Sequence, residues 1–309
     1  MNLGEQTSCL FLDVGLTHLR CWGILCPMKA YNVLMVAMVG VMFGVSCLAD
    51  KPEEAPFRVA TFNIRTPIDK PPNAWTCRVD RVRALIQLHR FDLIGLQEAT
   101  EKQIDDLLTE GWAYVGVGRD DGKRGGEASC IFYKKERFDV RDSGTFWLSE
   151  TPEVPGSKSW DTGCTRICTW ARLADRKSNK LFVHFNTHLD HMSPAARTNG
   201  MALILKRMPQ IAQGMPVLLT GDMNAVPESE PIRLALSVLR DSNALSRTPH
   251  TGPVATINGF KFQKKATACI DYIFVSTAIR VLTHATLDDS ENALYPSDHF
   301  PVVAELVFE

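Results

Sequence analysis

With 309 residues, 45% of them hydrophobic and 22% charged, the chain has the composition of an ordinary globular protein rather than a disordered one and can bury one large core or two packed layers. The formal net charge is −1 and the basic runs are as short as Lys134-Lys135 and Lys264-Lys265, which disfavours a protein that grips long nucleic acid by its phosphates.

The N-terminal stretch reads as a leader over residues 1–49. Met28-Lys29 precedes the apolar run Val33 to Val45, and the small residues Ser46-Cys47-Leu48-Ala49 follow just before Asp50-Lys51. A basic start, a short apolar stretch and a small-residue exit describe a secretory signal peptide, too short to remain as a membrane span. Met28 is therefore the expected true start. Two exits stay open, cleavage after Ala49 or lipid attachment at Cys47. Either makes the protein an exported one, periplasmic, anchored at the envelope or secreted, with no transmembrane span in the mature chain.

Four of the nine cysteines fall in this leader, leaving Cys77, Cys130, Cys164, Cys168 and Cys269. An odd number without a C-x-x-C pair argues against a disulfide framework or a zinc site and for packed thiols.

After the Pro-rich stretch Lys51 to Pro56, Phe57 to Ile64 alternates as a strand, and Trp75 to His89 carries Val79, Val82, Leu85 and Ile86 at helical spacing with basic residues between them. Asp92 to Leu96 is a buried strand ending at Glu98, and Thr100 caps a short helix to Leu108. Strands are expected at Trp112–Val117, Ala128–Tyr133, Thr165–Leu173, Lys180–His188, Val217–Thr220, Cys269–Val275, Arg280–Leu287 and Val302–Phe308. Helices are expected at Ser193–Ala212 and Ser229–Leu239. No repeat or linker interrupts this alternation, so residues 50–309 form one expected domain, for which two packed sheets with helices outside is the natural α/β arrangement.

The strand ends carry chemistry. They read "TFNIR" with Asn63, "LIGLQEA" with Glu98, "FNTHLDH" with His188 and Asp190, "LLTGDMNAVP" with Asp222 and Asn224, and "PSDHFP" with Asp298 and His299; Asp271 sits inside "CIDYIFVS". Strand alternation puts His188 and Asp190 on one face, and Asp222 and Asn224 on one face if extended backbone continues past Gly221. The same alternation buries Asp271 with Cys269, Ile273 and Val275. A buried carboxylate needs a partner, and His299 is the natural one, because an Asp behind an imidazole fixes its tautomer. Asn63, Glu98 and Asp298 offer hard oxygen ligands, which suit Mg²⁺ or Mn²⁺. Asp222 would orient or deprotonate a water, while Asn224 and His188 would donate to charge developing on phosphorus.

Asn63, Gln97-Glu98, "NTHLD", "GDMN", "IDYIFVS" and "SDHFP", in this order, resemble the endonuclease/exonuclease/phosphatase superfamily, over about Phe57 to Phe308. The resemblance implies a four-layered α/β sandwich, two packed mixed sheets flanked by helices, and one or two Mg²⁺ or Mn²⁺ ions. Carried over by position, it makes Glu98 the principal metal ligand with Asn63 and Asp298 beside it, and sets Asp222 and Asn224 on the water and phosphate. It also puts His188 on the phosphate, pairs Asp271 with His299, and matches Arg166 to a family arginine near the phosphate. Abasic-site enzymes of the family carry an acid two residues after the first-strand asparagine; Arg65 stands there in this chain, which disfavours the DNA-repair branch.

The segments Gly118 to Tyr133 and Phe146 to Trp160 resemble those of secreted bacterial members and are expected as substrate-facing loops. Arg119 and Glu127 join Arg166 and Asp190 as candidate substrate contacts. The expected function is a metal-dependent phosphoesterase acting on a small or lipid-linked phosphoester, diester or monoester. The alternatives are a secreted nuclease and a catalytically silent binding protein, the latter disfavoured by the presence of Glu98, Asp222 and His299. Oligomeric state is left open by the sequence.

Overall fold

A computed structural model describes residues 55–262 and 268–309. The leader, with Met28, Cys47 and Ala49, lies outside the described residues, as do Lys264 and Lys265. No helix among the described residues is long and apolar enough to cross a membrane.

The elements follow as β1 (Phe57–Asn63), α1 (Trp75–Leu88), β2 (Leu93–Gln97), α2 (Glu101–Leu107), β3 (Trp112–Val115), β4 (Ile131–Lys134), β5 (Phe138–Trp147), β6 (Ile167–Asp175) and β7 (Leu181–His188). The second half adds α3 (Pro194–Ala212), β8 (Val217–Asp222), α4 (Glu230–Leu236), β9 (Arg240–Asp241), α5 (Ser242–Leu245), β10 (Asp271–Val275), β11 (Ile279–Thr286) and β12 (Val302–Phe308). They build two six-stranded sheets, ordered β11-β12-β1-β2-β4-β3 and β5-β6-β7-β8-β10-β9. Each sheet has one central parallel pair, β1 with β2 and β7 with β8, and the crossovers those pairs need are α1 and α3.

The crossover helices define the outer layers. Trp75, Val82 and Leu85 of α1, with Ile104 and Leu107 of α2, pack on Phe62, Ile94 and Leu96 of the first sheet. Met201, Ile204, Met208 and Ile211 of α3, with Ile232 and Ala235 of α4, cover Phe185 and Leu219 of the second. Between the sheets lies a third cluster, in which Phe57, Val59 and Leu93 face Leu173, Phe182, Leu218 and Ile273. The layers are helix, sheet, sheet, helix, the sandwich expected from the sequence. Each fully buried Phe, Leu or Ile contributes about 1.5–3 kcal/mol.

Towards the strands' C-terminal end the apolar interlayer gives way to a neutral polar seam. Gln97 Nε2 donates to Thr61 Oγ1 (3.0 Å) and Asn186 Oδ1 (2.8 Å), and Asn186 Nδ2 donates to the carbonyls of Leu96 (2.8 Å) and Cys130 (3.0 Å). Thr220 Oγ1 donates to Asn186 Oδ1 (2.9 Å) and lies 2.8 Å from His184 Nε2. The sheets approach so closely here that only glycine fits at position 95, where a Cβ would stand 2.2 Å from Thr220 Oγ1 and 2.4 Å from Asn186 Oδ1.

Two sequence expectations change. Phe138–Trp147, not expected as a strand, forms the edge strand β5, with a register shift between Val140 and Asp142. Its outward residues Arg141, Asp142 and Ser143 are polar because an edge strand there faces solvent, which hides the alternation. Trp147 thus ends a strand rather than standing in a loop. The extended backbone of β8 stops at Asp222, since Asn224 adopts φ 46°, so the turn and not strand alternation orients its amide.

Candidate active site

The parallel register of β1 and β2 sets Asn63 beside Gln97, so Glu98 follows directly at the mouth of the first sheet. Asn63 is fully buried, and its Nδ2 donates both to Glu98 Oε1 (3.1 Å) and to Asp222 Oδ2 (3.0 Å) in the other sheet. The other Glu98 oxygen accepts the backbone N–H of Thr66 at 2.8 Å. Asn63 Oδ1 is occupied by Arg65 N–H (3.0 Å), so the amide serves here as a bridge between two carboxylates rather than as an oxygen donor to the cleft.

The second sheet brings its groups together by register. β7 and β8 pair His188 with Asp222, and β8 and β10 pair Asp222 with Asp271. His299, just before β12, inserts between them. Its Nδ1 is 2.9 Å from Asp271 Oδ2 and its Nε2 is 3.8 Å from Asp222 Oδ2, while His188 Nε2 approaches the same Asp222 oxygen at 3.4 Å. Asn224 donates its backbone N–H to Asp222 Oδ1 (2.9 Å); its Nδ2 faces the Leu189 carbonyl and His188 Nε2, both at 3.0 Å. Those side-chain N–H groups are engaged within the wall, where they orient His188.

Charge follows this packing. Burial, reinforced by the Asp271 carboxylate, pushes the Asp222 carboxyl up to about 7, with His299 and the Asn63 N–H opposing. Burial alone would lower His299, but Asp271 and Asp222 outweigh it and raise the imidazole to about 10. Burial and then the Arg166 guanidinium hold His188 well below its ordinary value, in the neutral form. Asp298 is raised by burial, with His299 and Arg65 opposing.

A cleft of about 420 Å³ opens over this cluster. Of the sequence candidates, Glu98, Arg119, Glu127, Arg166, His188, Asp222, Asn224, Asp298 and His299 line it. Asn63 and Asp271 stand behind the wall. Asp190 is also buried behind it. Its carboxylate accepts N–H groups from Gly163 (3.0 Å), Met192 (3.0 Å) and Ser193 (2.7 Å), and although burial opposes this, those bonds hold it well below the usual carboxylate range. Asp190 so ties the start of α3 to the Arg166 loop. Arg119 Nη1 donates to Glu127 Oε2 at 2.6 Å, forming an ion pair on the cleft wall, and Glu127 is raised by burial against the pull of Arg119.

Sequence reasoning did not place Thr66, Ile68 or Cys164 here, and it used Arg65 only to separate branches of the family; all four line the cleft, with His191. Their one common signal is closeness in the chain to Asn63 or Arg166. Beneath Arg65 lies Arg78, which α1's pattern presents as a solvent-facing basic residue and which has no exposed surface. It donates to the carbonyls of Asn73 (2.8 Å), Ile64 (2.6 Å), Pro296 (3.0 Å) and Arg65 (2.6 Å), fastening the exit of β1 to the segment that carries Asp298 and His299. Burial lowers its guanidinium to about 10. A larger apolar cavity of about 560 Å³ lies elsewhere, along Leu85, Leu88 and Pro296, but lacks a comparable set of reactive groups.

Among the described residues, two triads of metal-capable side chains have ligand atoms within 4.8 Å, namely Asp222, Asp271, His299 and Cys164, Asp190, His191. In the first, the ring nitrogen facing Asp271 is engaged with its carboxylate; in the second, Asp190 is committed to backbone N–H groups and the Arg166 cation stands against it, Nε at 3.7 Å from Oδ2. The donors that suit a hard divalent cation are the cleft-lining carboxylates of Glu98, Asp298 and Asp222. The raised proton affinity of Asp222 and Asp298 is what concentrated, buried negative charge produces and what a cation between them would relieve. The residues fit such an ion.

Residues 60–299 match the profile of the Endonuclease/Exonuclease/phosphatase family. A solved family protein from Bacteroides thetaiotaomicron is 35% identical, with a TM-score of 0.79 over 84% of this chain and 97% of that one. A mannosyl-6-phosphatase from the same organism is 36% identical, with a TM-score of 0.77 over 82% of this chain and 100% of that one. The human Nocturnin catalytic domain, solved with a bound sulfate anion, shares the fold at 21% identity, with a TM-score of 0.65 over 84% of this chain and 100% of that one. No curated protein matches the chain in sequence.

Proposed function

The chain belongs to the endonuclease/exonuclease/phosphatase family, and from that premise we propose that it is a divalent-metal-dependent phosphoesterase for a small polyhydroxylated substrate such as a phosphorylated sugar. The observation that carries this reading is the convergence on Asp222 Oδ2 of Asn63, His188 and His299, drawn from both sheets, at the floor of the cleft. Asp222, on whose Oδ2 these three side chains converge, holds a water and accepts its proton. His299, kept cationic between two carboxylates, presents Nε2–H to a phosphoryl oxygen as charge builds on it. Arg166 adds a second cationic donor on the wall. A divalent ion held by Glu98 and Asp298, with Mg²⁺ or Mn²⁺ favoured by the all-oxygen donors, would supply charge neutralisation at the phosphoryl and leaving oxygens.

Three features favour a small substrate over a polynucleotide. The cleft measures about 420 Å³, the net charge is −1, and Glu127, paired with Arg119, offers hydrogen bonds to hydroxyl groups. The mannosyl-6-phosphatase at 36% identity supports a sugar monoester within that class. The apolar run Val33–Val45 and the small residues after it support export, with cleavage after Ala49 or lipid attachment at Cys47.

The test is turnover of a sugar 6-phosphate, bis-p-nitrophenyl phosphate and an oligonucleotide, each with Mg²⁺, Mn²⁺ or EDTA. Monoester hydrolysis abolished by EDTA is the expected result. Preferential cleavage of the oligonucleotide would make the protein a nuclease, and no hydrolysis under any condition would favour a silent binding protein.

A further inference from the structure

Between α5 and β10 the chain runs over the mouth of the second sheet, and Thr256, 1% exposed, lies directly behind the His299–Asp271 pair. Its Oγ1 donates to Asp271 Oδ2 at 2.5 Å, the same oxygen that faces His299 Nδ1 at 2.9 Å. The direction of that bond follows from its surroundings. Oγ1 accepts backbone N–H groups from Ile270 (3.1 Å) and Asp271 (3.3 Å), and of the two acceptors within its reach the carboxylate at 2.5 Å is far nearer than the Ala268 carbonyl at 3.5 Å, so its one proton goes to the carboxylate. The other carboxylate oxygen, Asp271 Oδ1, is buried with no hydrogen-bond partner among the described residues.

Thr256 also grips the histidine's own segment. Its carbonyl accepts the N–H of Phe300 at 2.7 Å, and Ile257 forms a β-bridge with His299. One residue thereby fixes both the carboxylate and the backbone beside the imidazole. Without the hydroxyl, Asp271 would keep a single side-chain partner among the described residues and could swing about its terminal torsion, which is broad for a carboxylate.

We propose that Thr256 is a positioning residue for the hydrolysis, the third member of a Thr256–Asp271–His299 relay that holds the carboxylate against the Nδ1 edge of His299 and so aims Nε2 at the cleft. The inference rests on the role given above to His299. Groups standing behind a catalytic or metal-bound imidazole commonly affect activity by about 10–100-fold.

The test uses Thr256→Val, which keeps the shape and removes the donor, and Thr256→Ser, which restores it. With the turned-over substrate, Thr256→Val should lower kcat about 10–100-fold with KM within about twofold, and Thr256→Ser should recover most of the rate. Independently of turnover, the low-field proton NMR signal of the His299 Nδ1–H, identified by its loss in His299→Ala, should shift or broaden in Thr256→Val and persist in Thr256→Ser. Should Thr256→Val fail to fold, Thr256→Cys, with its weaker donor, is expected to fall below Thr256→Ser in kcat. Unchanged kcat and signal in Thr256→Val, or equal kcat in the Cys and Ser variants, would overturn the proposal. A wild-type protein that hydrolyses none of the phosphoesters would sink the functional reading instead, leaving the NMR comparison to decide the relay.

Discussion

The two sheets meet over two kinds of buried polar ground, the neutral seam around Asn186 and the charged mouth around Asp222, and a histidine in each reports the difference. His184 and His299 are 0% and 9% exposed. Burial lowers His184, which meets the Thr220 hydroxyl, to about 3; His299, subject to the same burial, is raised to about 10 because two carboxylates outweigh it. Loss of water therefore does not distinguish a structural from a reactive group. The charge of the neighbours does, whereas buried polar atoms without a hydrogen-bond partner among the described residues occur in both grounds, Asp271 Oδ1 in the mouth and Gln97 Oε1 and His184 Nδ1 in the seam.

The largest expected effect separates the regions outright. His299→Ala should lower kcat by about 10³-fold with the far-UV circular dichroism spectrum unchanged, because in the proposed mechanism this imidazole serves the reacting phosphoryl group. Near-wild-type turnover would erase the distinction. In the seam, Gly95→Ala should cost about 3 kcal/mol of folding stability in urea melts, since the new methyl meets Thr220 and Asn186 well inside contact distance. A variant as stable as wild type would mean that the sheets part easily there.

Glu98→Gln sharpens the mouth's side. It should raise the Mg²⁺ or Mn²⁺ concentration for half-maximal activity about 10–100-fold, read by metal titration. The smallest effect has opposite signs in the two regions. The folded-state pKa of His184 lies below its ordinary 6.5, so its contribution is complete above that pH and lost as pH falls towards about 3. The stability advantage of wild type over His184→Asn should therefore shrink by about 1 kcal/mol per pH unit below pH 6. His299 is raised, so its contribution is complete below 6.5 and is lost as pH rises through about 10; the advantage over His299→Ala should shrink on the alkaline side. Urea melts across pH 4.5 to 9 compare the two, and slopes of one sign would break the contrast.

Much of the mouth was legible because most of these apolar runs stop at a residue that lines the cleft. Glu98, Asp222 and the Asp298-His299 pair needed only the end of a hydrophobic stretch to be noticed, and alternation alone buried Asp271, which is 2% exposed. What stayed hidden depends on partners distant in sequence. Arg78 reads as a surface cation because the carbonyls it meets include that of Pro296, 218 residues away. Asn63 resembles a ligand until the orientation of its amide is seen, and Asp190 shares a strand face with His188 yet is consumed by the turn after β7. The bulged edge strand β5 was obscured by residues that face water on its open side.

Arg78 carries one more consequence. Its positive charge, sealed in the core beneath β1, feels the fields of Asp298, Asp69 and Glu98. The acidic rim thus has an internal counter-ion that salt in solution cannot displace, which leaves its negative potential tempered from below and open to a cation from above. Lysine at this position would lose the planar, four-way clasp on the carbonyls, and its ammonium, which gives up a proton more readily than a guanidinium when buried, would hold the counter-charge less firmly.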